Sequence, residues 1–271
     1  MTEVIHNRVR EALKLDELTA DAISNVKGFI ISENYPNPKW TSIGVPWLAD
    51  STAFNMILPD VVLDITELDP GWQESLTEFK NIKSLYFYTP VEDLSFIQSF
   101  TSLEELYIYH SPCTNWGFLS KLANIQMLYA RKCPNFDISV LDNIADLQSS
   151  HIGLTDKRLS CIYLAYCNIT DLSVFRKFRY IKELDLSHNN IEDVSPLENT
   201  SVYYLTLRWN KIKDISMLPF DSYYMNLRHN EISVLPMQMA ESYKLRRLFL
   251  DHNPITNFEI LDGADFLITD F

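Results

Sequence analysis

Glycine is scarce in this chain, with six residues in 271, so loops that cradle phosphates with bare backbone have little material to form from. No apolar run approaches the roughly 18 residues of a membrane-spanning helix. The first 25 residues, MTEVIHNRVREALKLDELTADAISN, carry charges throughout and contain no apolar core of the kind a secretory leader needs. Four cysteines, Cys113, Cys133, Cys161 and Cys167, are spaced too irregularly for a disulfide framework or a Cys-x-x-Cys metal clip. The sequence therefore predicts reduced thiols and a cytoplasmic protein, or a secreted one only if a leader has been removed. His-Glu-x-x-His, Gly-x-Ser-x-Gly and the P-loop pattern are all missing. Acidic pairs such as Glu104/Glu105 stand where an ordinary surface would put them. No enzyme and no cofactor are expected. Positive charge is also in deficit: the formal net charge is -13, which repels nucleic acid and anionic lipid and attracts basic partners.

What the chain does have is a repeat. Leu184-x-Leu186-x-x-Asn189-x-Ile191 is followed by Asp193-Val194-Ser195-x-Leu197, and the next unit reads Leu205-x-Leu207-x-x-Asn210-x-Ile212, then Asp214-Ile215-Ser216-x-Leu218. Met225/Leu227 with Asn230 and Leu248/Leu250 with Asn253 continue the series. Earlier pairs are Ile162/Leu164, Leu128/Ala130, Leu106/Ile108, Leu85/Phe87, Leu63/Ile65 and Phe29/Ile31, the last with Asn34 in the asparagine place. Most successive pairs lie 20 to 23 residues apart. An apolar-x-apolar core of this kind is a short strand with both apolar side chains on one face. Stacking the units makes one parallel sheet, because a single repeat cannot bury its apolar face alone. Asparagine at the exit can satisfy backbone groups left unpaired at the bend, and the Asp-apolar-Ser triplets suit caps of short convex turns.

These units, with their Asp-Val-Ser-Pro-Leu segment, resemble bacterial leucine-rich repeats of the internalin type and the related repeats of a eukaryotic phosphatase regulator. The resemblance is close over residues 82 to 261 and looser over 29 to 81. It implies an α/β fold: a right-handed leucine-rich-repeat solenoid with about ten short parallel strands on its concave face and 3-10 or short helical turns on its convex side. It also implies protein binding. The early copies depart from the pattern, placing Leu68, Pro90, Ser111, Cys133 and Cys167 where later copies have asparagine. Cys133 and Cys167 share one column and are expected as buried thiols. Two intervals, Phe29 to Leu63 and Leu128 to Ile162, are 34 residues long. Each predicts an insertion, at about 35–58 and 142–158, decorating a rim or forming an extra coil.

Residues 1–28 are expected as a helical N-terminal cap, 29–262 as the repeat array, and 263–271 as a closing cap around Phe266-Leu267-Ile268. Val4, Val9, Leu13 and Leu15 give the first helix an apolar face, and Thr19 is a candidate cap for a second.

The solvent-facing columns of the sheet are the candidate site. Tyr86, Tyr107, Tyr129 and Tyr163 form a ladder expected to be exposed, with Tyr88, Tyr109 and Tyr166 beside it. A second patch, Arg208, Trp209, Arg228, His229 and Arg247, is cationic and aromatic. Tyrosine, tryptophan and arginine are the residues enriched at protein interfaces. The expected function is a monomeric, non-enzymatic module that binds a protein partner on its concave face, without nucleic acid, membrane or metal. An acidic inhibitor masking a basic enzyme, a surface adhesin and a metal-dependent hydrolase using His229 and His252 are the alternatives.

Overall fold

The computed structural model describes residues 2–33, 61–149 and 159–269. Two helices open it, α1 (Thr2–Leu13) and α2 (Ala20–Asn25). Eleven strands follow among the described residues: β1 (Gly28–Ser32), β2 (Val61–Asp64), β3 (Ser84–Phe87), β4 (Glu105–Tyr109), β5 (Met127–Arg131), β6 (Cys161–Tyr163), β7 (Tyr180–Asp185), β8 (Ser201–Thr206), β9 (Tyr224–Asn226), β10 (Arg247–Phe249) and β11 (Leu267–Thr269). All are joined in one parallel sheet. From β3 to β11 each strand pairs with its successor in the chain, as stacked repeats require.

The apolar pairs read from the sequence stack in register: Leu106 beside Leu128, Leu184 beside Leu205, Leu205 beside Met225. With the convex leucines and isoleucines they form one continuous core in which most side chains are fully buried. The convex side is built from 3-10 turns at Ser95–Ser99, Gly117–Lys121, Ser173–Lys177 and Ser195–Leu197. Their starts are set by the recurring aspartates. Asp93 accepts from Ser95 N at 2.8 Å, Asp171 from Ser173 N at 2.8 Å, and Asp193 from Ser195 N at 2.8 Å. The Ser95 side chain and backbone hold the Asp93 carboxyl below the usual carboxylate range, and the Ser173 backbone and side chain do the same for Asp171.

Three expectations change. The first strands are not in chain order, since β1 lies between β3 and β2, which leaves β2 as the edge. Gly28 permits this insertion: a Cβ there would lie 2.1 Å from the Ser84 carbonyl oxygen. The core pair of β2 is Val61/Leu63, aligned with Phe29/Ile31, while Ile65 begins a 3-10 turn started by Asp64 accepting from Thr66 N. The third change concerns the second insertion. Its described part is α4 (Val140–Ser149), which packs on the convex side against the 3-10 turns of the neighbouring units. This described part takes the place of a convex turn. Asn34 and the insertion at 35–58 lie outside the described residues, as do 150–158.

At the N-terminal end α1 packs on β2 and on α3 (Trp72–Leu76). Ile5 and Val9 are its buried pair, one turn apart on one face, whereas Leu15 is exposed. Thr19 accepts from Ala22 N at the start of α2.

Candidate interaction surface

Three rows of side chains face outward from the concave side of the sheet. The middle row is the tyrosine ladder. Tyr86 and Tyr107 stack at 4.1 Å and 8°, Tyr107 and Tyr129 at 5.4 Å and 26°, and Tyr129 meets Tyr163 at 5.7 Å. The expectation that these four are exposed fails: all are buried, none above 5% exposed. They form a second apolar cluster with Ile30, Met127 and Cys161. Their hydroxyls are also occupied. Tyr86 donates to Glu105 at 2.9 Å, Tyr163 donates to Glu183, and Tyr107 donates to the Met127 sulfur. Burial first, then the neighbouring carboxylates, pushes the Tyr86 and Tyr163 phenols far above their ordinary range.

The buried carboxyls of this floor are the residues that the sequence reading passed over. Glu183 and Asp185 both have their pKa raised by burial; Tyr163 donates to the first and Ser187 to the second. Alternation on β7 placed both on the concave face, but nothing local said that they would be covered. Asp185 also lies near the guanidinium groups of Arg208 and Arg131, which oppose the effect of burial.

The third row is more open. Tyr88, Tyr109, Arg131, Arg208 and Arg228 are all partly exposed. Burial pushes the Tyr88 phenol up. Arg228 pairs with the buried Asp251 and lies over the Phe249 ring at 4.6 Å. Lys132 donates to the Tyr109 hydroxyl at 3.0 Å. Arg247 is exposed in the first row, beside Tyr224.

Where the chain leaves the sheet, the residue before Cys167 and before each of Asn189, Asn210, Asn230 and Asn253 has a left-handed backbone: Tyr166, His188, Trp209, His229 and His252, with φ from 53° to 61°. Side chains other than glycine pay about 1–2 kcal/mol there. The asparagine column imposes the bend. Asn189 Nδ2 donates to the Leu164 and Leu186 carbonyls at 2.8 and 2.9 Å, and its Oδ1 accepts from Cys167 N at 2.9 Å. The bend lines the rings up. Tyr166 stacks on His188 at 4.1 Å, His188 on Trp209 at 5.4 Å, Trp209 on His229 at 3.7 Å and His229 on His252 at 4.0 Å, all within 14° of parallel. Ring pairs contribute about 0.5–1.5 kcal/mol each, enough to offset much of the strain.

Partial burial and the guanidinium charges of Arg208 and Arg131 pull the His188 imidazole down to about 4. His229 is also lowered, by burial and by His252, Arg228 and Arg208. These imidazoles stack face to face, and among the described residues no His, Cys, Asp or Glu cluster suits a metal ion. Cys133 and Cys167 occupy the asparagine column as buried free thiols. Cys167 donates to the Ala130 carbonyl at 3.0 Å, and burial pushes the Cys133 thiol up to about 12. No helix among the described residues is long and apolar enough to cross a membrane.

Comparison with known proteins agrees with this architecture. The family model "Leucine Rich repeats (2 copies)" matches residues 157–199. Leucine-rich repeat-containing protein 56 of Rattus norvegicus is 33% identical over 91 residues, a stretch covering 30% of this chain and 16% of that protein. Among solved structures, an internalin (InlF) of Listeria monocytogenes is similar with a TM-score of 0.66 and 18% identity, over 98% of this chain and 74% of that one. Internalin C2 of the same bacterium gives 0.55 and 16%, over 98% and 92%. The functional domain of its InlJ, which includes a cysteine ladder, gives 0.56 and 13%, over 97% and 58%. At these identities the likeness is one of fold. It overturns the expected cytoplasmic placement, because internalins are secreted or surface bacterial proteins.

Proposed function

We propose that this chain, a leucine-rich-repeat protein structurally related to the bacterial internalins, is a protein-interaction module that takes an acidic partner segment along the arginine row and ring ladder of its sheet. The carrying observation is the concentration of cationic and aromatic side chains on one rigid face of a protein with net charge -13. Arg208 and Arg228 stand on neighbouring units beside the ladder, Arg131 stands three units before Arg208, and Trp209 is 47% exposed. Arginine and tryptophan are the side chains that most often anchor interfaces, and a guanidinium fork matches carboxylate geometry. A strand-borne site is also preorganised, so little order is lost on binding.

In this reading the buried tyrosine ladder is the floor of the surface. Tyr107→Ala and Tyr129→Ala would open cavities in a packed cluster, at about 3–5 kcal/mol each, and would confuse folding with binding. The informative positions are Tyr88, Tyr109, Tyr166, Arg208, Trp209, Arg228, His229 and Arg247. A photo-crosslinking side chain at Trp209, compared with one at the exposed Met217 of the Leu207–Leu218 unit, tests the assignment in extract and medium of cells that make the protein. The expected result is crosslinking to an acidic protein from position 209 alone, weakening as salt rises and at least about tenfold weaker with Arg208→Ser and Arg247→Ser. Equal crosslinking from both positions, or indifference to the arginine changes, would overturn the reading.

A further inference from the structure

The opposite edge of the sheet, where β7 to β10 begin, carries a groove of about 500 Å³. Its apolar walls are tyrosines. Tyr180 is 55%, Tyr203 40% and Tyr243 78% exposed, a cost in exposed aromatic area that folding alone does not repay. Tyr203 and Tyr223 stack at 5.1 Å and 13°. Tyr204 braces Tyr203 edge-on at 4.9 Å. These rings are therefore held in place before any ligand arrives.

The polar strip of the groove is biased in charge. Ser201 donates to Asp221 at 2.6 Å, and Lys244 donates to the same carboxylate oxygen at 3.2 Å. Arg246 donates to the Tyr243 and Leu245 carbonyls at 3.0 Å each and to no carboxylate among the described residues. Two cations thus face one carboxylate that is already engaged. Within a protein of net charge -13 this is a local reversal of sign, and it complements an acidic group on the occupant.

We propose that this groove docks a proline-rich segment in the polyproline II conformation that carries an acidic residue for Arg246. The lining supports the assignment. Tyr180, Tyr203, Tyr223 and Tyr243 line the groove from four successive strand starts, and the Tyr203–Tyr223 stack offers a fixed aromatic face. Aromatic-lined grooves take the preformed, low-entropy polyproline II helix, whose proline rings pack on such faces. Its bare carbonyls meet phenolic donors, and its prolines bring no N–H groups that need partners. The site lies on the rim opposite the ring ladder and does not rest on the assignment of that ladder.

The test is fluorescence anisotropy on the full chain with three labelled synthetic peptides of about nine residues, or three polyproline turns. One has Pro-x-x-Pro spacing and a terminal glutamate, the second replaces its prolines by alanine, and the third replaces its glutamate by lysine. Saturable binding of the first is expected, at least about tenfold weaker for each of the other two. Tyr243→Ala and Arg246→Ser should each weaken it by a similar factor, with the melting temperature unchanged because both side chains are exposed. Absence of saturable binding, equal binding of the alanine peptide, or indifference to both substitutions would overturn the proposal. Binding of a neutral oligosaccharide at these tyrosines without peptide binding would overturn it too.

Discussion

Asn210 shows how much one side chain carries in this architecture. Its Nδ2 donates to the Leu186 and Leu207 carbonyls at 3.0 and 2.9 Å, and its Oδ1 accepts from Ile191 N at 3.1 Å. All three partners are backbone groups at a bend with no strand to satisfy them. Asn210→Ala leaves them buried and unpaired, and urea unfolding should show a loss of about 2–4 kcal/mol. Asn210→Cys should recover part of this, because a thiol donates as Cys167 does to Ala130 but accepts poorly. A loss below about 0.5 kcal/mol for the alanine variant would mean that water replaces the amide.

At the scale of the element, the stacked rings at the strand exits link backbone strain to protonation. The folded state holds His188 near pKa 4, whereas an unfolded histidine titrates near 6.5. The neutral form is therefore favoured by folding. Stability from this group is complete above about pH 6.5 and is lost as pH falls toward 4. Glu183 and Asp185, whose pKa values are raised, act in the opposite sense over their own range, so the wild-type profile is a sum. His188→Asn, which tolerates the left-handed backbone, isolates the histidine. The drop in urea midpoint between pH 6.5 and 4 should be smaller in the variant than in wild type. Superimposable profiles would show that the imidazole is freely solvated.

The whole molecule behaves as a one-dimensional stack, each unit burying its neighbours. Its two ends need covers, and at the β2 end α1 supplies one through Ile5 and Val9. Val9→Asp puts a charge into that contact, which favours opening from this end. Hydrogen exchange should accelerate in β2 and β1 while β7 to β9 keep their protection. Uniform acceleration across all strands would show that the array unfolds as a single unit.

The sequence by itself determined the repeat, the parallel sheet, the register of its apolar pairs outside β2 and the caps of its convex turns. Each depends on contacts within one unit or between identical positions of adjacent units, as with Leu184 beside Leu205 or Asp193 with Ser195 N. The tertiary structure decided what that periodicity cannot carry. Position on the concave face marked Tyr86 and Tyr163 as outward, yet neighbouring rings and carboxylates bury them. The place of β1 between β3 and β2 depends on a close approach at Gly28. The tyrosine groove joins residues from four units at an edge that no repeat consensus describes. Local pattern specifies which way a side chain points; how much water is left there depends on residues far away in the chain.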